Sequence, residues 1–189
     1  MTAFSDGSYP RVITLRDGTE LVLRAPEAGD SEALLRFFQG LPATDTHFMK
    51  DDVLNPETIA RWLERPDGER SLVLLGFAGE RVVADAALIR QRGAARHHLA
   101  ELRVNISPDF QGRGLGTLLI RELADRAWDA EIEVLEFQLV QGFQDAAIEA
   151  VRGVGAFHAG TLKDYLRDPR SEPCSLAFYQ LPLGAWFKF

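Results

Sequence analysis

Gly112, Gly114 and Gly116 stand two residues apart. They follow an apolar run that ends in Ile106-Ser107-Pro108, and a leucine-rich helical pattern starts directly after them. A strand that passes through a glycine loop into a helix start aims several backbone N–H groups and a helix N-terminus at one spot, which makes an anion site. The anion that suits such a row of donors is the pyrophosphate of a phosphorylated cofactor. The loop is not a Walker A sequence, because no lysine follows Gly116. It is not the dinucleotide fingerprint either, because its third glycine falls one residue early and the strands before it form a meander. The plainer alternative is a glycine turn that only lets strand and helix pack closely.

A second group of residues could act next to that loop. Alternation over residues 97–106 sorts His98, Ala100, Leu102, Val104 and Ile106 onto one nearly all-apolar face, and His97, Leu99, Glu101, Arg103 and Asn105 onto the other. A central strand seldom carries Glu, Arg and Asn on a covered face without a function, so this polar face is a candidate reaction floor. Glu101 reads in two ways. It is a proton acceptor, or it is the ion-pair partner of Arg103, which would lower its pKa and weaken it as a base. His97 is a minor candidate for proton relay. Adjacent His97 and His98 face opposite ways, and His47 and His158 lack ligand spacing, so no metal site is expected. Cys174, the only cysteine, reads as a small buried side chain rather than a nucleophile.

The elements that must hold these residues can be read from pattern. Residues 19–24 alternate as a strand, and Asp30 or Ser31 caps a helix carrying Leu34, Leu35, Phe37 and Phe38 that Gly40 and Pro42 stop. A polar loop over 41–54 follows, in which Asp45, Asp51 and Asp52 either attract a cationic amine or form a solvated charged surface. Pro56 opens a second helix with Ile59, Trp62 and Leu63 on its apolar face, and Pro66-Asp67-Gly68 is a turn. Strands at 71–77, 82–89 and 97–106 form an antiparallel meander. The glycine loop leads into a helix over 115–128 with Leu118, Leu119 and Leu123 on one face. A strand at 134–140, a short helix at 145–152 and strands near 156–166 and 176–181 complete the chain. Phe37, Phe38, Trp62 and Trp128 have the spacing of core aromatics, whereas Phe48, Met49 and Trp186 are not easily placed. The order β α α β β β α β α β β makes an α/β protein with a mixed sheet. One domain over 1–189 is expected, with a flexible arm at 1–10 and a tail at 183–189.

Composition narrows the function. With 46% hydrophobic and 26% charged residues in 189, the chain can build a sizeable core. A net charge of −7 argues against a general nucleic-acid surface. A single cysteine suits a reducing, cytoplasmic setting. No run reaches the roughly 18 apolar residues of a membrane span, and the first residues show no secretory signal.

Gln111-Gly112-Arg113-Gly114-Leu115-Gly116 resembles the Q/R-x-x-G-x-G/A signature of the GNAT acyl-CoA-dependent N-acyltransferases. Ile106-Ser107-Pro108 fits the family's V/I-x-P, and the element order is similar over residues 19–182. Arg96 to Val104, with Asp17-Gly18 and Arg24, looks like the acetyltransferase domain of Pat-type bacterial protein lysine acetyltransferases. The resemblance implies a GNAT-like fold with acetyl-CoA as co-substrate and no metal. It places coenzyme A on the N–H groups from Gly112 to Gly116, with Gln111, Arg113 and Thr117 at the edge. The pantetheine arm lies beside Val104 and Ile106, where the fourth and fifth strands of the predicted order splay apart. A backbone N–H at Val104 or a neighbour would face the thioester oxygen, and Glu101 occupies the position of the base.

Two departures from the family stand out. Gln144 replaces an asparagine and would reach the pantetheine amide with a longer side chain. Val151 replaces the usual acidic tyrosine, and neither Tyr165 nor Tyr179 fits the pattern as its substitute. The implied activity is direct acetyl transfer to a primary amine in a ternary complex, the acceptor being a protein lysine or a small cationic amine. A homodimer is compatible with this. The alternative is a non-catalytic acyl-CoA-binding sensor or regulatory module.

Overall fold

The computed structural model describes residue 4, residues 9–64 and residues 70–186. The expected turn at 66–68, most of the expected arm and the last three residues of the tail lie outside these. The chain begins with a hairpin, β1 (Arg11–Thr14) and β2 (Glu20–Arg24). Three helices follow: α1 (Ser31–Gln39), α2 (Ala43–His47) and α3 (Pro56–Glu64). The meander is β3 (Ser71–Ala78), β4 (Arg81–Arg90) and β5 (Leu99–Ile106). Then come α4 (Leu115–Asp129), β6 (Val134–Val140), α5 (Asp145–Gly153), β7 (Phe157–Arg167), β8 (Pro173–Pro182) and the single turn α6 (Leu183–Trp186).

The helix limits have local causes. The Gly40 N–H closes α1 on the carbonyls of Arg36 and Phe37, both at 3.1 Å. Asn55 caps α3, its Oδ1 accepting the Glu57 N–H at 2.9 Å. Asp30, at the start of α1, is buried because Arg24 clasps both its oxygens at 2.6 and 2.7 Å.

All strands join one sheet in the order β1-β2-β3-β4-β5-β6-β8-β7, antiparallel except for the β5–β6 pair. Ala84, Ala86 and Leu88 of β4 and Ala100 and Leu102 of β5 share one core cluster with residues of α4 and α5. On α4, Leu115, Leu119 and Leu123 are buried at helical spacing, and each contributes about 2 kcal/mol of apolar burial. That anchors the helix directly after the glycine loop. A second cluster puts Leu34, Phe37, Phe38 and Ile59 of α1 and α3 against Leu75, Phe77 and Val82. The odd-numbered face of β5 therefore looks toward the α1–α3 side.

Four expectations are corrected. An extra strand, β1, precedes the expected first one. Residues 43–47 are helical rather than loop. The third meander strand starts at Leu99, not His97, because residues 94–98 turn and the ring Nδ1 of His97 is bonded at 2.6 Å to the Ala94 carbonyl. His97 is therefore off the polar face. Trp62 and Trp128 are 38% and 41% exposed, although Phe37 and Phe38 are core as expected. Of the expected arm, Phe4 is buried and the Tyr9 hydroxyl donates to Glu122 of α4 at 2.8 Å. Of the expected tail, Leu183 is buried.

Candidate functional site

β5 and β6 pair only at Leu99–Val134, Ala100–Leu135 and Glu101–Glu136. Beyond Glu101 the strands part, and β6 follows β8 from Val134 to Val140. The β5 edge from Leu102 to Ile106 that faces β6 has no strand partner. Val104 and Ile106 lie on this stretch, half-buried, and pack against the core. An open strand edge of this kind accepts an extended, amide-bearing ligand by strand addition.

The glycine loop closes the fork. Gly112 and Gly114 have φ values of +71° and +85°, a backbone region that disfavours other residues. Gly114 is the N-cap of α4. A Cβ at Gly116 would stand 3.3 Å from Ile106 Cδ1, so this glycine lets the first turn of α4 close on the end of β5. Among the described residues, the N–H groups of Gly112, Arg113 and Gly114 donate to no protein acceptor. The first-turn N–H groups of α4, from Leu115 to Thr117, have no intrahelical partner. Together they form the donor row that a diphosphate requires. Leu115 offers only its backbone, since its side chain is core.

The side chains around the loop divide by role. Thr117 lines the cleft. Arg113 pairs with Asp17 at 3.1 Å and lies over the Phe110 ring. Gln111 donates to the Ile106 carbonyl at 3.1 Å, which ties the loop to β5. Arg16, in the β1–β2 turn, brings its guanidinium beside Gly114. Gln144 turns its Oε1 to the Val140 N–H at 2.8 Å, which ends β6, and it also lines the cleft. Val151 is buried, lines the cleft and carries no acidic hydrogen.

One continuous cleft of about 1480 Å³ runs from this loop along β5 to Glu101 and on to α2, α3 and the loop between them. Its floor is the expected polar face. Glu101 is buried and doubly clamped: Arg103 Nε donates to Oε1 at 2.7 Å and Lys50 Nζ to Oε2 at 2.6 Å. Burial pushes its pKa up, but the hydrogen bonds and charges of Arg103 and Lys50 outweigh this and hold the carboxyl below its ordinary value. Glu101 is therefore an ion-paired carboxylate that lines the cleft.

Asn105 donates to Asp85 Oδ2 at 3.0 Å across the β4–β5 register. Burial drives Asp85 up to about 6 against the pull of Asn105 and Arg103. Asp85 was missed by sequence reasoning, although an acid alone inside Val82–Ile89 is a usable signal. Lys50 and Arg16 were also missed, and no local pattern marks them.

The roof is aromatic and acidic. Phe48 meets Phe143 edge-on, with ring centres 5.2 Å apart. Met49, Asp45 and Asp51 line the cleft, and burial pushes the Asp45 carboxyl up. Asp52 instead accepts the Leu54 N–H. Cys174 is buried in a satellite cluster with Val140 and Leu176. Among the described residues no group of His, Cys, Asp and Glu side chains could hold a metal ion, and no helix is long and apolar enough to cross a membrane.

The sequence profile of the acetyltransferase (GNAT) family matches residues 34–156, well over half of the chain. No curated protein matches it in sequence. Among solved structures, the GNAT domain of S. lividans PAT is 16% identical with a TM-score of 0.76, covering 94% of this chain and 99% of that one. Ribosomal-protein-alanine N-acetyltransferase from Brucella melitensis is 25% identical with a TM-score of 0.72, covering 85% and 98%. The yncA protein of Salmonella typhimurium, solved with its cofactor acetyl-CoA, is 19% identical with a TM-score of 0.72, covering 86% and 94%.

Proposed function

The chain belongs to the acetyltransferase (GNAT) family, and from that premise we propose that it transfers an acetyl group from acetyl-CoA to a primary amine by direct attack in a ternary complex. The acceptor is a protein lysine or a small cationic amine. The observation that carries the proposal is the fork between β5 and β6, with unpartnered loop N–H groups at one end and Glu101 at the other.

Each part of the cleft has work in this reaction. The N–H groups of Gly112 to Gly116 hold the diphosphate, with Gln111, Arg113 and Thr117 around it and Arg16 adding a cation. The open edge at Val104 and Ile106 aligns the pantetheine arm, and Gln144 holds the opposite strand end. A backbone N–H near Val104 stabilises the developing oxyanion. A lysine-like amine with a pKa of about 10.4 is almost wholly protonated at neutral pH, so a proton must leave before attack. Glu101 is ionised there and receives it through water, while its charge draws the cationic acceptor down the cleft.

Calorimetry with coenzyme A, followed by thiol-release assays over a panel of amines, tests this. Binding plus turnover that falls in Glu101→Gln supports the reading. Absence of binding overturns it. Tight binding with no product from any amine favours the alternative, an acyl-CoA-binding sensor or regulatory module. One feature speaks for that alternative: the buried valine at 151 cannot protonate a departing thiolate.

A further inference from the structure

The chain contains only three lysines, Lys50, Lys163 and Lys188, against eighteen arginines. One of the three puts its ammonium on the buried carboxylate of the proposed reaction centre. Lys50 lies in the segment joining α2 to α3, on the roof of the cleft. Its Nζ is 2.6 Å from Glu101 Oε2, its side chain is 48% exposed, and the Glu101 side chain beneath it is buried. The other cation on Glu101, Arg103, keeps its charge and cannot become a nucleophilic amine. Lys50 is a primary alkyl amine of the acceptor class. It sits where a cationic acceptor would have to sit to meet Glu101, in the same cleft as the glycine loop.

We infer that Lys50 occupies the acceptor-amine position and is itself acetylated, in cis, by the thioester held in that cleft. The inference rests on the acetyltransferase reading above. In the step, the Lys50 ammonium gives one proton to Glu101 or to water. Nζ then attacks the thioester carbonyl carbon, so an N–C bond forms and the C–S bond breaks. The bonding pair leaves on sulfur, which takes the second proton from nitrogen. The products are an Nε-acetyl group on residue 50, free coenzyme A thiol and one released proton. A tethered amine competes at an effective concentration of roughly millimolar order, so unmodified Lys50 opposes entry of an external acceptor. Acetylation removes its charge and leaves Glu101 to Arg103 alone.

The full chain is incubated with acetyl-CoA and mapped by peptide mass spectrometry, with calorimetry against coenzyme A in parallel. Acetyl is expected on Lys50 well before Lys163, at a rate independent of protein concentration, and slowed about 100-fold in Glu101→Gln. A proximity test needs no turnover. Lys50→Cys is expected to form a mixed disulfide with coenzyme A disulfide, one thiol leaving as free coenzyme A, whereas Lys163→Cys does not. Coenzyme A binding with Lys50 modified no faster than Lys163, or at a rate that rises with protein concentration, overturns this inference and leaves the acetyltransferase reading standing. No coenzyme A binding overturns both.

Discussion

Glu101 and Asp85 stand on the same face of neighbouring strands and are similarly buried, at 5% and 9% exposure, yet their surroundings push them in opposite directions. Glu101 has two cations on its oxygens and stays below the ordinary carboxylate range. Asp85 has one amide donor and rises to about 6. Burial acts on both, so the difference comes from the cations that reach each carboxylate. Arg103 is two residues from Glu101, whereas Lys50 arrives from a segment fifty-one residues away. A buried acid becomes a fixed charge or a titrating group according to the cations aimed at it.

The sharpest way to break this contrast is to remove each charge in turn. Glu101→Gln is expected to lower kcat/KM for the amine by about 100-fold or more while coenzyme A affinity holds. Asp85→Asn is expected to cost far less. If steady-state kinetics reverse that order, Asp85 is the proton acceptor and Glu101 an electrostatic anchor.

Stability against pH separates the two carboxylates next. Because the folded-state pKa of Asp85 is raised, the native state binds more protons than the unfolded chain between about pH 4 and 6, and stability falls as pH rises through that window. Asp85→Asn is expected to flatten this slope and raise neutral-pH stability by up to about 3 kcal/mol. Urea titrations at several pH values check it. Glu101 has the opposite sign. Its depressed pKa contributes stability that is present above the ordinary Glu pKa and lost as pH falls through the folded value. Arg103→Met, which leaves Glu101 one cation, is expected to destabilise by about 1–3 kcal/mol and to move the acid limb of the pH–rate profile upward. The smallest effect belongs to Lys50→Ala. A half-exposed partner contributes at most about 1 kcal/mol, so its melting temperature stays near wild type.

The meander, the glycine loop and α4 were legible because their signals are local: period-two alternation, glycines at fixed spacing, and leucines at helical spacing. The Glu101 face was legible for the same reason. α2 was not, because none of its residues is buried and it shows no apolar period. β1 was not, because only Ile13 of its four residues is buried. Trp62 and Trp128 have core spacing, but each sits at the rim of its helix face and keeps part of its ring in solvent. His97 misled because alternation continues past the point where its ring turns back to Ala94. Lys50 and Arg16 reach the site only through tertiary folding. Asp85 was readable in principle, since a lone acid within an apolar strand has to be compensated.

The three-residue contact between β5 and β6 is also a mechanical seam. On one side stand β1 to β5, on the other β6, β8 and β7, so two blades share a short hinge bridged above by α4 and α5. A ligand that lies along one blade and is held at the mouth by the loop welds them where the backbone does not. Amide exchange along β6 should then slow more on coenzyme A binding than exchange in β3, far from the seam, so that the occupied protein behaves as one plate rather than two.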